Sequence, residues 1–101
     1  MNHIQLNQIY TFKLVSGEEI TAKVYKKTSD SIEVAQPICM VLGPQGLQMM
    51  PCLLSLNPNK NVHINTASIA LTGETREDVR AKYLEATTGI VTPPAKQIIT
   101  G

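Results

Sequence analysis

The chain has 101 residues and a formal net charge of +1, with nine Lys and Arg set against eight Asp and Glu. That near-neutral balance excludes wholesale electrostatic capture of nucleic acid, and two cysteines are too few for a disulfide scaffold or, alone, for a tetrahedral metal site. With 43% hydrophobic and 17% charged residues, the composition suits one folded core, and the length is too short for two.

Aromatic residues are scarce: Tyr10, Phe12, Tyr25 and Tyr83. The core must therefore be filled by Ile, Val, Leu and Met, and a small domain filled this way favours assembly with copies of itself. Met1 to Leu6 have neither a positive flank nor a long apolar run, so no signal peptide is expected, and no stretch approaches membrane-spanning length. A cytoplasmic chain is the expectation.

In chain order, residues 9–15 place Tyr10, Phe12 and Leu14 in alternation with Thr11 and Lys13. Residues 19–27 do the same with Ile20, Ala22 and Val24 against Thr21, Lys23 and Tyr25. Period-two alternation of β-branched and aromatic residues predicts two half-buried strands. Facing partners need an even sum to share one core, and pairing Leu14 with Ile20, Phe12 with Ala22 and Tyr10 with Val24 meets that condition. Ser16-Gly17-Glu18 is the natural turn, as a three-residue or bulged loop in which Gly17 supplies a positive φ.

The polar stretch Lys26 to Ser31 breaks the pattern, and Ile32 and Val34 open a third strand. Pro37 inside it implies an edge, a bulge or a sharp bend, before Ile38, Met40 and Leu42 resume. Gly43-Pro44-Gln45-Gly46 is a turn. The next run, Leu47 to Leu56, is apolar on both parities and contains Pro51, which favours a strand over a helix. Asn57 to Asn61 form a loop, Val62 to Ile64 a strand stub, Asn65 to Ser68 a tight turn, and Ile69 to Thr72 a last strand. Residues 74–89 then predict a helix, with Thr75 as N-cap, Asp78 in the capping-box position, Val79, Tyr83 and Ala86 on one face and Gly89 as C-cap. Residues 90–101, with Pro93-Pro94, read as an extended tail of the same single domain.

The sheet residues carry a resemblance. Leu14-Val15-Ser16-Gly17 followed by Ile20, Ala22 and Val24 resembles the first motif of the Sm/LSm family, with Ala22 where the family usually has the glycine of a hard bend. Ile64-Asn65-Thr66-Ala67-Ser68-Ile69 is similar in shape to the second motif, with Asn65 and Thr66 in place of Arg and Gly. Thr28-Ser29-Asp30-Ser31 stands where the family carries its base-clamping Asp-x-Met-Asn loop. A group of small marine bacteriophage proteins of cyanophage type looks closer still, through Lys13, Leu14, Gly17, Glu18, Glu19, Pro37, Tyr83, Thr87, Thr88, Gly89 and Ile90.

The resemblance covers roughly residues 9–72 and implies a mainly β fold: a five-stranded, strongly bent antiparallel Sm-like (SH3-like) barrel over residues 1–73, here with its helix after the strands and not before them. It also implies assembly. Sm-like subunits pair the edge of the fourth strand with the fifth strand of a neighbour, so a homo-oligomeric ring of about five to seven copies is expected, since cyclic closure removes every open edge. The apolar run from Leu47 to Leu56 is either that contact surface or a strand buried within one subunit.

Several constellations bear on chemistry. Lys23, Lys26 and Lys27 surround Tyr25, and multiplied round a ring they would meet phosphates while the tyrosine stacks a base; lysines at a strand end also deter edge aggregation. Thr28, Ser29, Asp30 and Ser31, with His63, Asn65, Thr66 and Ser68, could line a pore and hydrogen-bond to bases, or could satisfy their own turns. Glu18 and Glu19 flank a turn and point to opposite faces, so paired-carboxylate catalysis is not indicated. The mixed charges Arg76, Glu77, Asp78, Arg80, Lys82 and Glu85 read as a solvated helix face. No catalytic elbow, phosphate loop, cofactor motif or metal cluster is present, and an enzyme is not expected. The expectation is a ring that binds RNA or single-stranded DNA in nucleic-acid processing; the alternative is a phage assembly or structural protein that uses the ring for protein contacts.

Overall fold

The computed structural model describes residues 3–57 and 59–88. Six strands, β1 (Gln8–Leu14), β2 (Glu19–Lys27), β3 (Ser31–Gly43), β4 (Gly46–Pro51), β5 (Val62–Asn65) and β6 (Ile69–Glu74), precede one helix, α1 (Glu77–Thr88). A single antiparallel sheet runs in the order β4-β3-β2-β1-β6, with β5 on β3 as well. The fold is therefore mainly β with one C-terminal helix. The expected five strands are six, and among the described residues no ladder joins β6 to β4 or β5, so the sheet is not closed.

The sixth strand arises on β3, which is long enough to hold two partners. Its later half pairs with β4 (Ile38↔Pro51 to Gly43↔Gly46), and its first half pairs with β5 (Ser31↔Asn65 to Val34↔Val62). The apolar run expected to be one strand from Leu47 to Leu56 ends at Pro51, which has no N–H to continue a ladder. The chain then leaves the sheet and returns to it at Val62.

The first hairpin keeps its predicted faces but not its predicted partners. The pairs are Gln8↔Val24, Tyr10↔Ala22 and Phe12↔Ile20, a slip of two residues that preserves the even sum. The cause is the turn. Gly17 N–H donates to Leu14 C=O at 2.9 Å, Leu14 N–H donates to Glu18 C=O at 2.8 Å, and Gly17 sits at φ 102, so three residues, Val15 to Gly17, form the loop.

The inward face gathers Ile4, Tyr10, Phe12, Ile20, Ala22, Val24, Ile32 and Val34, with Leu14, Cys39, Cys52, Val62, Ile64 and Ile69 packed around them. Ile4 reaches this core from the segment before β1. Gln5 N–H donates to the Tyr10 hydroxyl at 2.8 Å, and Lys27 Nζ donates to Ile4 C=O at 2.5 Å. Bends come from two irregularities in the β2–β3 ladder. Gln36 and Pro37 together oppose Ala22, with Gln36 at φ 46, and Tyr25 is an extra residue between the pairs Val24↔Val34 and Lys26↔Glu33. Of the edge, bulge or sharp bend that Pro37 implies, the structure shows a bulge, opposite the small Ala22.

Helix α1 covers the outward face through its buried Val79 and Tyr83. Its N-terminus departs from expectation: the Thr75 hydroxyl lies 3.0 Å from that of Thr11, which lies 3.2 Å from that of buried Thr21. Arg76 C=O instead accepts the first helical bond from Arg80 N–H at 2.9 Å, and Asp78 accepts from Val79 N–H. The mixed charges are exposed and paired as Arg76–Asp78 and Arg80–Glu77. The expected Gly89 cap and the 90–101 tail lie outside the described residues. No helix among the described residues is long and apolar enough to cross a membrane.

Candidate nucleic-acid interface

The site residues predicted from two distant stretches meet at one corner. Ser31 pairs with Asn65 across the β3–β5 ladder. Thr66 N–H donates to Asp30 C=O at 2.9 Å, and the Thr66 hydroxyl reaches Ser29 C=O at 3.5 Å. The turn between β2 and β3 and the 3₁₀ turn Thr66–Ser68 after β5 thus form one continuous polar rim.

Within the rim most polar side chains serve the backbone. The Asn65 carboxamide oxygen accepts from Ala67 N–H at 2.9 Å and caps the 3₁₀ turn, while the Ser68 hydroxyl donates to Asn65 C=O at 2.7 Å. The Thr28 hydroxyl accepts from Ser31 N–H at 3.1 Å, and the Ser29 hydroxyl donates to Asp30 at 2.6 Å. Such local bonds are the ordinary occupation of Ser, Thr and Asn in turns. They also hold the rim in one shape, which a binding surface requires.

The lysines divide into three situations. Lys23 lies with its ammonium 5.4 Å from the Tyr25 ring centroid, which leaves the partly exposed Tyr25 a cation on one face. Lys26, exposed, stands opposite Glu33 on the outward face. Lys27 belongs to the other side of the strand, where its bond to Ile4 C=O closes the end of the core.

Sequence reasoning missed Glu33 and Asn61. His63 Nε2 lies 3.4 Å from Glu33 Oε1, and Asn61 Nδ2 donates to Glu33 Oε2 at 2.7 Å. The Asn61 hydrogen bond, then the His63 and Lys26 charges, hold the Glu33 carboxyl below the usual carboxylate range. Glu33 was findable as the outward residue between inward Ile32 and Val34; Asn61 was not, because a loop residue has no periodicity. The row therefore sets Glu33 between Lys26 and His63, so that its carboxylate faces one of the three nearby lysines. Among the described residues no group of three His, Cys, Asp or Glu is arranged to hold a metal ion. No protein-family model matches this chain, and no curated protein resembles it at a significant level.

Proposed function

We propose that the chain is an Sm-like subunit that assembles into a ring and binds single-stranded RNA, or single-stranded DNA, along the rim where the two turns meet. The observation that carries this reading is the junction itself: Thr66 N–H on Asp30 C=O fuses the segments that resemble the family's two nucleic-acid loops. Strand order adds support. If β4 and β5 are two parts of one interrupted fourth strand and β6 is the fifth, the connectivity is that of an Sm-like barrel with two free edges.

A lone subunit is a poor ligand for phosphate, because the rim has only three lysines, of which Lys26 faces Glu33 and Lys27 is tied to Ile4 C=O. Repetition round a ring changes that, since each contacted phosphate adds about 0.7 to the slope of log affinity against log salt for single strands. Tyr25 would stack a base on the face opposite Lys23. Fluorescence anisotropy with a labelled single-stranded RNA at low salt is the test. We expect binding that weakens steeply as salt rises and falls at least tenfold in the double variant Lys23→Ala, Lys26→Ala; Lys27 is left intact because it holds Ile4. Absence of low-salt binding by the assembled protein would end the proposal.

A second reading has its own observation. Leu42, Leu53 and Leu54 are exposed beside edge strand β4, with Leu54 at 90%. Apolar surface of this kind serves protein contacts better than nucleic acid. An assembly protein that uses the same ring would form it and ignore RNA.

A further inference from the structure

Cys39 and Cys52 are placed for a chemistry that the proposed binding does not use. Cys39 lies in β3 opposite Met50, and Cys52 is the first residue past β4, its N–H donating to Pro37 C=O at 3.3 Å. The continuing register makes them diagonal neighbours on one face of the sheet. Their sulfurs are 3.0 Å apart, within about an ångström of a covalent S–S bond. Both thiols are free and half-buried. Together they line a pocket of about 180 Å³ with Leu14, Glu18 and Ile20, and an open cleft beside Lys13 and Met40, so a small solute can reach them. Among the described residues no third His, Cys, Asp or Glu joins them as a metal site.

We propose that Cys39 and Cys52 form a peroxide-reactive dithiol that closes to a reversible intrachain disulfide. The co-reactant is hydrogen peroxide. Cys39, as thiolate, attacks a peroxide oxygen: an S–O bond forms, the O–O bond breaks, and the departing hydroxide takes up the thiol's proton as water. Cys52, deprotonated in turn, attacks the Cys39 sulfur: the S–S bond forms, the S–O bond breaks and a second water leaves. Two thiols have lost two electrons and two protons, and the peroxide has been reduced to two waters.

The roles follow from the surroundings. Burial, then the hydrogen bond and charge of Cys39 and the charge of Glu18, push the Cys52 thiol up, so it keeps its proton and enters second. Attack requires a thiolate, so oxidation speeds up as pH rises. The bond would staple β3 to the end of β4 at the mouth of a hairpin whose other end is the turn after Gly43, fixing an edge of the sheet.

The test uses the full chain, reduced and then treated with hydrogen peroxide. We expect the two titratable thiols to fall to none, the intact mass to drop by two hydrogens, a peptide map to join residues 39 and 52, and dithiothreitol to restore both thiols. Hydrogen exchange over 46–51 should slow in the oxidised form. Cys52→Ser should stop at a sulfenic acid on Cys39 that dimedone traps, a readout that also serves if Cys39→Ser folds poorly. Two thiols that stay titratable, sulfinic acid formed without a disulfide, or a disulfide between chains would each overturn the proposal.

Discussion

Tyr83 is the residue on which the junction of helix and sheet turns. Its hydroxyl accepts from Lys23 N–H at 3.1 Å and donates to Ala35 C=O at 2.7 Å, bridging the pair that flanks the Gln36–Pro37 bulge. At 2% exposure it completes a ladder that the bulge interrupts. Tyr83→Phe would keep the ring and leave a half-buried N–H and C=O unpartnered, at a cost of about 1–3 kcal/mol in urea unfolding. Burial, the larger cause, pushes the Tyr83 hydroxyl from 10.0 up to about 12. A raised folded pKa means the native state holds this proton more tightly, so the contribution is full below about pH 10 and is lost as pH rises through about 12. Unfolding measured from pH 9 to 12 should therefore show about 2–3 kcal/mol of alkaline destabilisation that Tyr83→Phe lacks. The sequence places Tyr83 on the buried helix face, since spacing at three and four residues is visible there. The partner of its hydroxyl is not visible, because that depends on where two strands fall out of register.

At the scale of elements, strands were legible where one face is wet and the other dry. β2 spans Glu19–Lys27 as its alternation predicts, and β1 differs by one residue at each end. Between Leu47 and Leu56 both parities are apolar, so no period marked the point where pairing stops; Pro51 does, through its missing N–H. The candidate site was legible as two polar turns, but their contact was not, because it is made by β3 holding β5 at a sequence separation that no local pattern encodes. The first hairpin offers the sharpest test of an element. Gly17 has φ 102 and open space where a Cβ would stand, so Gly17→Ala meets no clash and pays only the backbone penalty of the left-handed region. We expect a loss of about 1–2 kcal/mol in chemical denaturation with the fold unchanged by circular dichroism. A neutral result would mean that the turn can slip to the two-residue-shifted register that the hydrophobic pattern equally permits.

For the whole molecule, the issue is what happens at the two ends of the strand order. β4 and β6 are both edges, and each shows apolar side chains to solvent: Leu47 at 46% and Met50 at 48% on one, Leu71 at 67% on the other. An edge strand with exposed apolar residues and no lysine of its own is a pairing template, and β6 carries neither Lys nor Pro, the usual deterrents. Head-to-tail pairing of β6 with β4 of the next copy would use different surfaces on each partner, and such contacts close into a ring or run on as a filament. Light scattering on the purified chain should then give a fixed multiple of 11.0 kDa that does not grow with concentration. Replacing Leu47 and Leu71 together by Lys should reduce that mass to one subunit. Both positions are exposed within the subunit, so the change should alter its own stability by no more than about 0.5 kcal/mol each. The monomer so made should keep its circular dichroism spectrum and lose steep salt-dependent RNA binding, because one rim has too few phosphate contacts to bind alone. A wild-type chain that scatters as a monomer would remove the ring, and with it the multiplication of charge on which the proposed RNA binding by a near-neutral chain depends.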